Sequence, residues 1–309
     1  MPLPYPLNPL GITVREELPL TFTALEASTV KLTTTGSPTV AGLHYRIGTS
    51  GPWIAYSVGT EIPLAAGRKV QFLNLANTLS YNDANYYHFD ITGKVNATGD
   101  LMSLLNWSAT CQNYCFINLF RDNDALLSAP EISAVTLASN CLRSMFAGCT
   151  LMTSAARIYA ATAYTNCCYQ MYDGCSSLTN VPAPFPFDTM AAACCYAMFR
   201  NCTSLKTFPQ ISATFANHCC NSMFYGDTAL EKIHIATPEL QAYSCYQMAV
   251  NCSSLAEIEV DFTDWNAANS STAGWLSGAA ASGTFIKPSA LPEEYGPNRI
   301  PTGWTVINK

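Results

Sequence analysis

The chain has 309 residues, of which 49% are hydrophobic and 12% charged, with a net charge of −6. It is long and apolar enough to bury a core, which excludes a disordered tail. Its Lys and Arg are scattered, which excludes the clustered basic face that nucleic acid requires, and no run approaches the length of a membrane-spanning helix.

The start, Met1-Pro-Leu-Pro-Tyr-Pro-Leu-Asn-Pro-Leu10, is punctuated by proline and predicts an extended arm over residues 1–14. It has no basic segment followed by an unbroken apolar one, so no secretory signal is expected. Residues 15–100 carry short β-type runs at Leu18–Phe22, Val30–Leu32, Leu43–Ile47, Trp53–Val58, Val70–Leu75 and Tyr86–Ile91. Turn signals between them, such as Thr35-Gly-Ser-Pro and Gly48-Thr-Ser-Gly-Pro, predict an antiparallel β-sandwich. Asn96-Ala-Thr-Gly-Asp100 reads as the hinge into residues 101–283, and residues 284–309 as a closing β cap.

Residues 101–283 repeat. Leu119, Met145, Met171, Met198, Met223 and Met248 follow one another at 26, 26, 27, 25 and 25 residues, each after a Cys and most before a Phe or Tyr. A fixed period in this range marks a stacked solenoid, whose units bury their apolar faces only against each other. With the Met taken as zero, apolar or thiol residues fall at −3, 0, +4 and +7, as in Cys195, Met198, Cys202 and Leu205. Spacings of three and four predict one face of a short helix. Ile233-His-Ile235 and Ile258-Glu-Val260 then alternate like strands. The expected fold class is α+β: a sandwich, then a leucine-rich-repeat solenoid with one strand and one short helix per repeat, then the cap.

Met198-Phe199-Arg-Asn-Cys202-Thr-Ser-Leu205 resembles the BspA-like leucine-rich repeats of gut Bacteroidetes and their bacteriophages, crAss-like phages included. Pro19-Leu-Thr-Phe-Thr-Ala24, Gly99-Asp-Leu-Met-Ser-Leu-Leu105 and Ile300-Pro-Thr-Gly-Trp-Thr-Val306 are similar to segments flanking such repeats. The resemblance spans residues 15–307 and departs at Asp227, which stands where a Cys is expected, and at Ser244 and Ala249. It implies a surface for adhesion or recognition.

Thirteen of the fourteen cysteines fall in columns at −4, −3 and +4. Rungs about 4.8 Å apart do not suit disulfides. A buried reduced ladder is expected, made of Cys115, Cys141, Met145, Cys149, Met171, Cys175, Met198, Cys202, Met223, Met248 and Cys252. His218 beside Cys219 is the nearest approach to a nucleophile and base, but sequence neighbours diverge on a helix, so no catalytic residue is expected. No cofactor or metal is expected: the alternating Glu257, Glu259 and Asp261 align on one face and offer oxygens to a cation, but the ordinary reading is a solvated acidic strip. The candidate binding residues lie on the strand face, at Asn180, Thr207, Lys232, His234, Glu257 and Glu259.

These observations lead to an expectation of a non-enzymatic phage virion protein, a structural or appendage component that forms homo-oligomers and is assembled in the bacterial cytoplasm. Its partners would be other virion subunits, through the arm and sandwich, and a host surface protein or glycan, with no nucleic acid and no membrane insertion. The alternatives are a BspA-like cell-surface adhesin and an accessory module of a carbohydrate-active enzyme.

Overall fold

The structure is a computed structural model in which residues 18–38, 42–76, 79–80 and 82–309 are described. The expected arm, 1–14, lies outside them. Eight strands form the base: β1 (Leu20–Ala24), β2 (Ser28–Thr35), β3 (Leu43–Ile47), β4 (Ile54–Ala55), β5 (Ile62–Leu64), β6 (Lys69–Asn74), β7 (Tyr86–Thr92) and β8 (Val95–Thr98). They pair antiparallel as a five-stranded sheet, β4-β3-β6-β1-β8, and a three-stranded sheet, β5-β2-β7. Alternation decides which face is buried: in β2, Val30 and Leu32 point inward while Lys31 and Thr33 do not. Phe22 and Phe72 of the larger sheet meet Phe89 of the smaller one edge to face, with centroids 4.9 and 5.3 Å apart.

The chain then coils into a β-solenoid of about eight turns. One side is a column of two-residue parallel strands: β9 (Thr110–Cys111), β10 (Thr136–Leu137), β11 (Thr162–Ala163), β12 (Thr189–Met190) and β13 (Thr214–Phe215). A second side begins as isolated bridges, Ser128 to Ser154 to Asn180, and Thr207 to Lys232. It widens into a parallel sheet of β14 (Lys232–Ile235), β15 (Glu257–Val260), β16 (Thr284–Lys287) and β17 (Thr305–Asn308). The residues expected to form a separate cap thus continue the ladder as further rungs.

The third side overturns the expected fold class. Apart from 3-10 segments at Leu101–Leu105 and Ala267–Asn269, there is no helix among the described residues, so the chain is nearly all β rather than α+β with leucine-rich-repeat helices. The stretch taken for a helix is a ribbon of consecutive turns. Every fourth residue is left-handed: Asn140, Ser144 and Gly148 have φ of 58°, 51° and 78°, and Asn166, Gln170 and Gly174 follow at 54°, 52° and 76°. The backbone N–H groups alternate between two directions. Met145 and Ala147 donate within the ribbon to Leu142 and Ser144, both at 3.2 Å. Phe146 and Gly148 donate to the next coil, to Met171 at 2.9 Å and Asp173 at 2.8 Å. Each turn closes on itself and on its neighbour, leaving few backbone groups orphaned.

The residues inside explain why this geometry is stable. Phe89, Phe120, Phe146, Tyr172, Phe199 and Phe224 form a column of near-parallel rings with centroids 5.3, 5.2, 5.4, 5.2 and 6.1 Å apart. With a turn ribbon in place of helices, these rings stack face on face along the coil axis, with Phe89 of the base as the first member. All fourteen cysteines are buried and free. The thiols at +4 donate to a carbonyl of the preceding coil, Cys149 to Phe120 at 3.0 Å, Cys175 to Phe146 at 3.1 Å, Cys202 to Tyr172 at 3.2 Å and Cys252 to Phe224 at 3.0 Å. Adjacent cysteines do not diverge as they would on a helix. The Sγ atoms of Cys167 and Cys168 are 3.5 Å apart, and those of Cys194 and Cys195 3.6 Å. None of the described helical segments is long and apolar enough to cross a membrane.

Candidate functional site

Strand alternation sets the solvent face of the widened sheet. In β14, Ile233 and Ile235 are buried while Lys232 is exposed and His234 half-buried. In β15, Ile258 and Val260 are buried, Glu257 is exposed and Glu259 is half-buried. The parallel register sets Lys232 opposite Glu257 and His234 opposite Glu259. Four of the six expected binding residues therefore form one patch. Thr207, also exposed, is bridged to Lys232 and extends the patch by one rung, whereas the exposed Asn180 is bridged to Ser154 in a separate stretch of the ladder.

The region after Asn180 differs physically from the other rungs. Pro182, Pro184 and Pro186 lack an N–H to donate to a ladder, and a cavity of about 240 Å³ opens there over a floor of Tyr172, Met198 and Phe199. Val181, Phe185 and Ile158 form apolar walls, with Arg157 and Tyr159 alongside. Sequence reasoning missed this cavity. The signal that could have found it is the run of three alternating prolines, which cannot donate to a ladder and so leave a gap in one side of the coil.

The densest polar grouping lies at the distal end. His234 Nε2 is 3.6 Å from Glu259 Oε1 and 3.5 Å from Asp261 Oδ1. The Lys309 ammonium binds the same two carboxylates, at 2.6 Å from Glu259 Oε1 and in close contact with Asp261 Oδ1. Partial burial pushes the Asp261 carboxyl up, but hydrogen bonds and charge from Lys309 and then His234 outweigh it and hold the group below its usual range. Asp261 was legible in sequence as the third member of the alternating strip. Lys309 was not, because nothing local places it 48 residues away against Asp261.

The turn-ribbon side carries rings that stack on each other. Tyr169 and Tyr196 lie 4.8 Å apart at 6°, Arg143 sits 5.2 Å over Tyr169, and His218 stacks on Tyr243 at 4.8 Å. Paired rings cover each other's faces and present mainly edges. His218 points into this array while Cys219 is buried in the core, so the two do not form a nucleophile–base pair.

No family model, curated protein or solved structure matches the chain.

Proposed function

We propose that this protein is a non-enzymatic structural and attachment protein: a two-sheet base that joins a larger assembly, carrying a solenoid whose side presents a recognition surface. A repetitive β-solenoid is compatible with a repeat or fibre-like structural role. The observation that carries the reading is the continuity of base and solenoid. Phe89 N–H donates to Leu119 O at 2.8 Å, Val95 N–H to Ala125 O at 2.9 Å, and Glu131 N–H to Gly99 O at 2.9 Å. With the aromatic column running through the same junction, a force applied to the outer coils reaches the base without crossing a flexible linker. That property suits an appendage that bears load between its two ends.

The specific form we propose is a bacteriophage virion component that contacts a host surface protein or glycan through Lys232, His234, Glu257 and Glu259. The resemblance in sequence supports it, and a core of free thiols suits assembly in a reducing cytoplasm. Mass spectrometry of purified particles from a gut Bacteroidetes host tests the proposal. Recovery of the chain at a fixed ratio to known particle proteins is the expected result. Absence from particles with recovery in the host envelope fraction overturns it in favour of an adhesin.

A further inference from the structure

We propose that His234, Glu259 and Asp261 form a zinc-class divalent-metal site on the solenoid face, at which the Lys309 ammonium is the resident competitor. The inference concerns side chains on two adjacent rungs and does not rest on the attachment role.

The donors come together because of register. His234 and Glu259 are opposite each other in a parallel pair, and Asp261 follows Glu259 by two residues, onto the same face. One ligand atom from each residue lies within 4.8 Å of the other two. A four-coordinate metal with bonds of about 2.1 Å to N and O places its ligands roughly 3.4 Å apart. The imidazole nitrogen stands 3.6 and 3.5 Å from the two carboxylate oxygens. Two edges of the required polyhedron are therefore already set. One imidazole with two carboxylates suits a borderline ion with tetrahedral preference better than magnesium, which demands six oxygens in near-ideal octahedral geometry.

The position is now held by Lys309. Its ammonium is held by both carboxylates, Glu259 at 2.6 Å and Asp261 in close contact, so these oxygens already share a cation. An ammonium uses only the oxygens. A metal uses an imidazole lone pair at His234 Nε2 as well and displaces the lysine head into solvent. The side chains of His234, Glu259, Asp261 and Lys309 are 27, 32, 37 and 34% exposed, so the ion has a path in and the lysine a path out. A fourth position remains for water. Bound metal would pin β14 to β15, the first two strands of the sheet.

The test is calorimetric titration of zinc chloride into full-length protein without a polyhistidine tag, repeated for Lys309→Met, His234→Ala and Asp261→Asn. Cobalt is titrated in parallel and followed by its visible absorption. One zinc per chain is expected. Affinity should rise about tenfold in Lys309→Met, because an ion pair that competes for the ligands is gone, and binding should be lost in His234→Ala and Asp261→Asn. Cobalt should give the intense visible bands of a four-coordinate N/O site. The proposal is overturned by failure of both wild type and Lys309→Met to bind zinc, by binding that persists in His234→Ala, or by a near-ultraviolet thiolate band placing cobalt on the cysteines.

Discussion

Asp227 occupies a core position that other rungs give to cysteine, and its protonation should make the fold sensitive to alkali. The residue is fully buried. Its Oδ1 accepts the Cys202 N–H at 2.7 Å, while Oδ2 is buried without a hydrogen-bond partner. Burial pushes the carboxyl far above its usual range, only partly opposed by the Cys202 hydrogen bond. A proton on Oδ2 gives the side chain the donor capacity of the thiol it replaces. The carbonyl at the matching place in the preceding coil is that of Phe199. The sign follows from linkage. The folded state binds this proton more tightly than the unfolded chain does, so the stabilisation is complete below the unfolded pKa of about 3.9 and is lost as pH rises toward the folded value. Where the unfolded carboxyl is ionised and the folded one is not, the loss is about 1.4 kcal/mol per pH unit. Asp227→Asn keeps the acceptor for Cys202, supplies a donor for the second direction and cannot ionise. Between pH 5 and 7, urea unfolding in reductant should show wild-type stability falling relative to Asp227→Asn, with a slope of at most about 1.4 kcal/mol per pH unit. Parallel pH profiles for the two proteins would refute the argument.

Three further outcomes follow from the same packing. Tyr172→Phe removes the buried hydroxyl that accepts the Ala156 N–H at 2.9 Å, and the orphaned amide should lower stability by about 1–3 kcal/mol, read as a shift in urea midpoint. Gly226→Ala should be more damaging than Gly174→Ala. Both glycines have φ near +80°, but the new Cβ falls 2.4 Å from Asn201 Oδ1 at position 226 and no closer than 3.9 Å to its neighbours at 174. The second variant should therefore lose only the backbone term of about 1 kcal/mol, and the first more, as compared by thermal unfolding. The fourteen thiols should resist Ellman's reagent in the native protein and react in full in denaturant. All are buried, and burial pushes Cys149 up to about 12 and Cys194 to about 11. Rapid native reaction of more than one thiol would contradict the closed core.

The sequence revealed the period, the core columns and the outward strand positions, because each depends on which residues avoid water. Met145, Cys149 and Phe146 are buried whether the ribbon is helical or not. The backbone was misread because a period of four and one of 3.6 are nearly indistinguishable over nine residues, −4 to +4, where the drift is under a quarter turn. The distinguishing signal lay in the residues between the core positions. Asn140, Ser144 and Gly148, then Asn166, Gln170 and Gly174, recur at intervals of four and are left-handed. Asn and Gly are the residue types that accept that region most readily, and Gly, Asn, Cys and Thr are poor helix formers. The contact of Lys309 with Glu259 and Asp261 was beyond any local pattern. It depends on how the last rungs stack.

The departures from regularity carry more functional information than the ladder does. Ala193 and Ala197 hold left-handed φ of 52° and 50° without the local hydrogen bonding Asn provides, at a cost of about 1 kcal/mol each. The inter-coil bonds offset it, Ala193 N–H to Asn217 O at 3.0 Å and Ala197 N–H to Asn221 O at 2.8 Å. A ladder that tolerates such residues is stabilised by its neighbours rather than by local propensity. It can therefore accept a proline-lined gap at 182–186, where β11 and β12 still pair on another side, and a charged cluster at 234, 259 and 261, where Ile235 and Val260 still fill the interior. In each case the turn ribbon keeps the coils in register, and the cavity and the proposed metal site both lie on or beside the second side, the one that runs through Asn180 and Thr207 into β14 and β15.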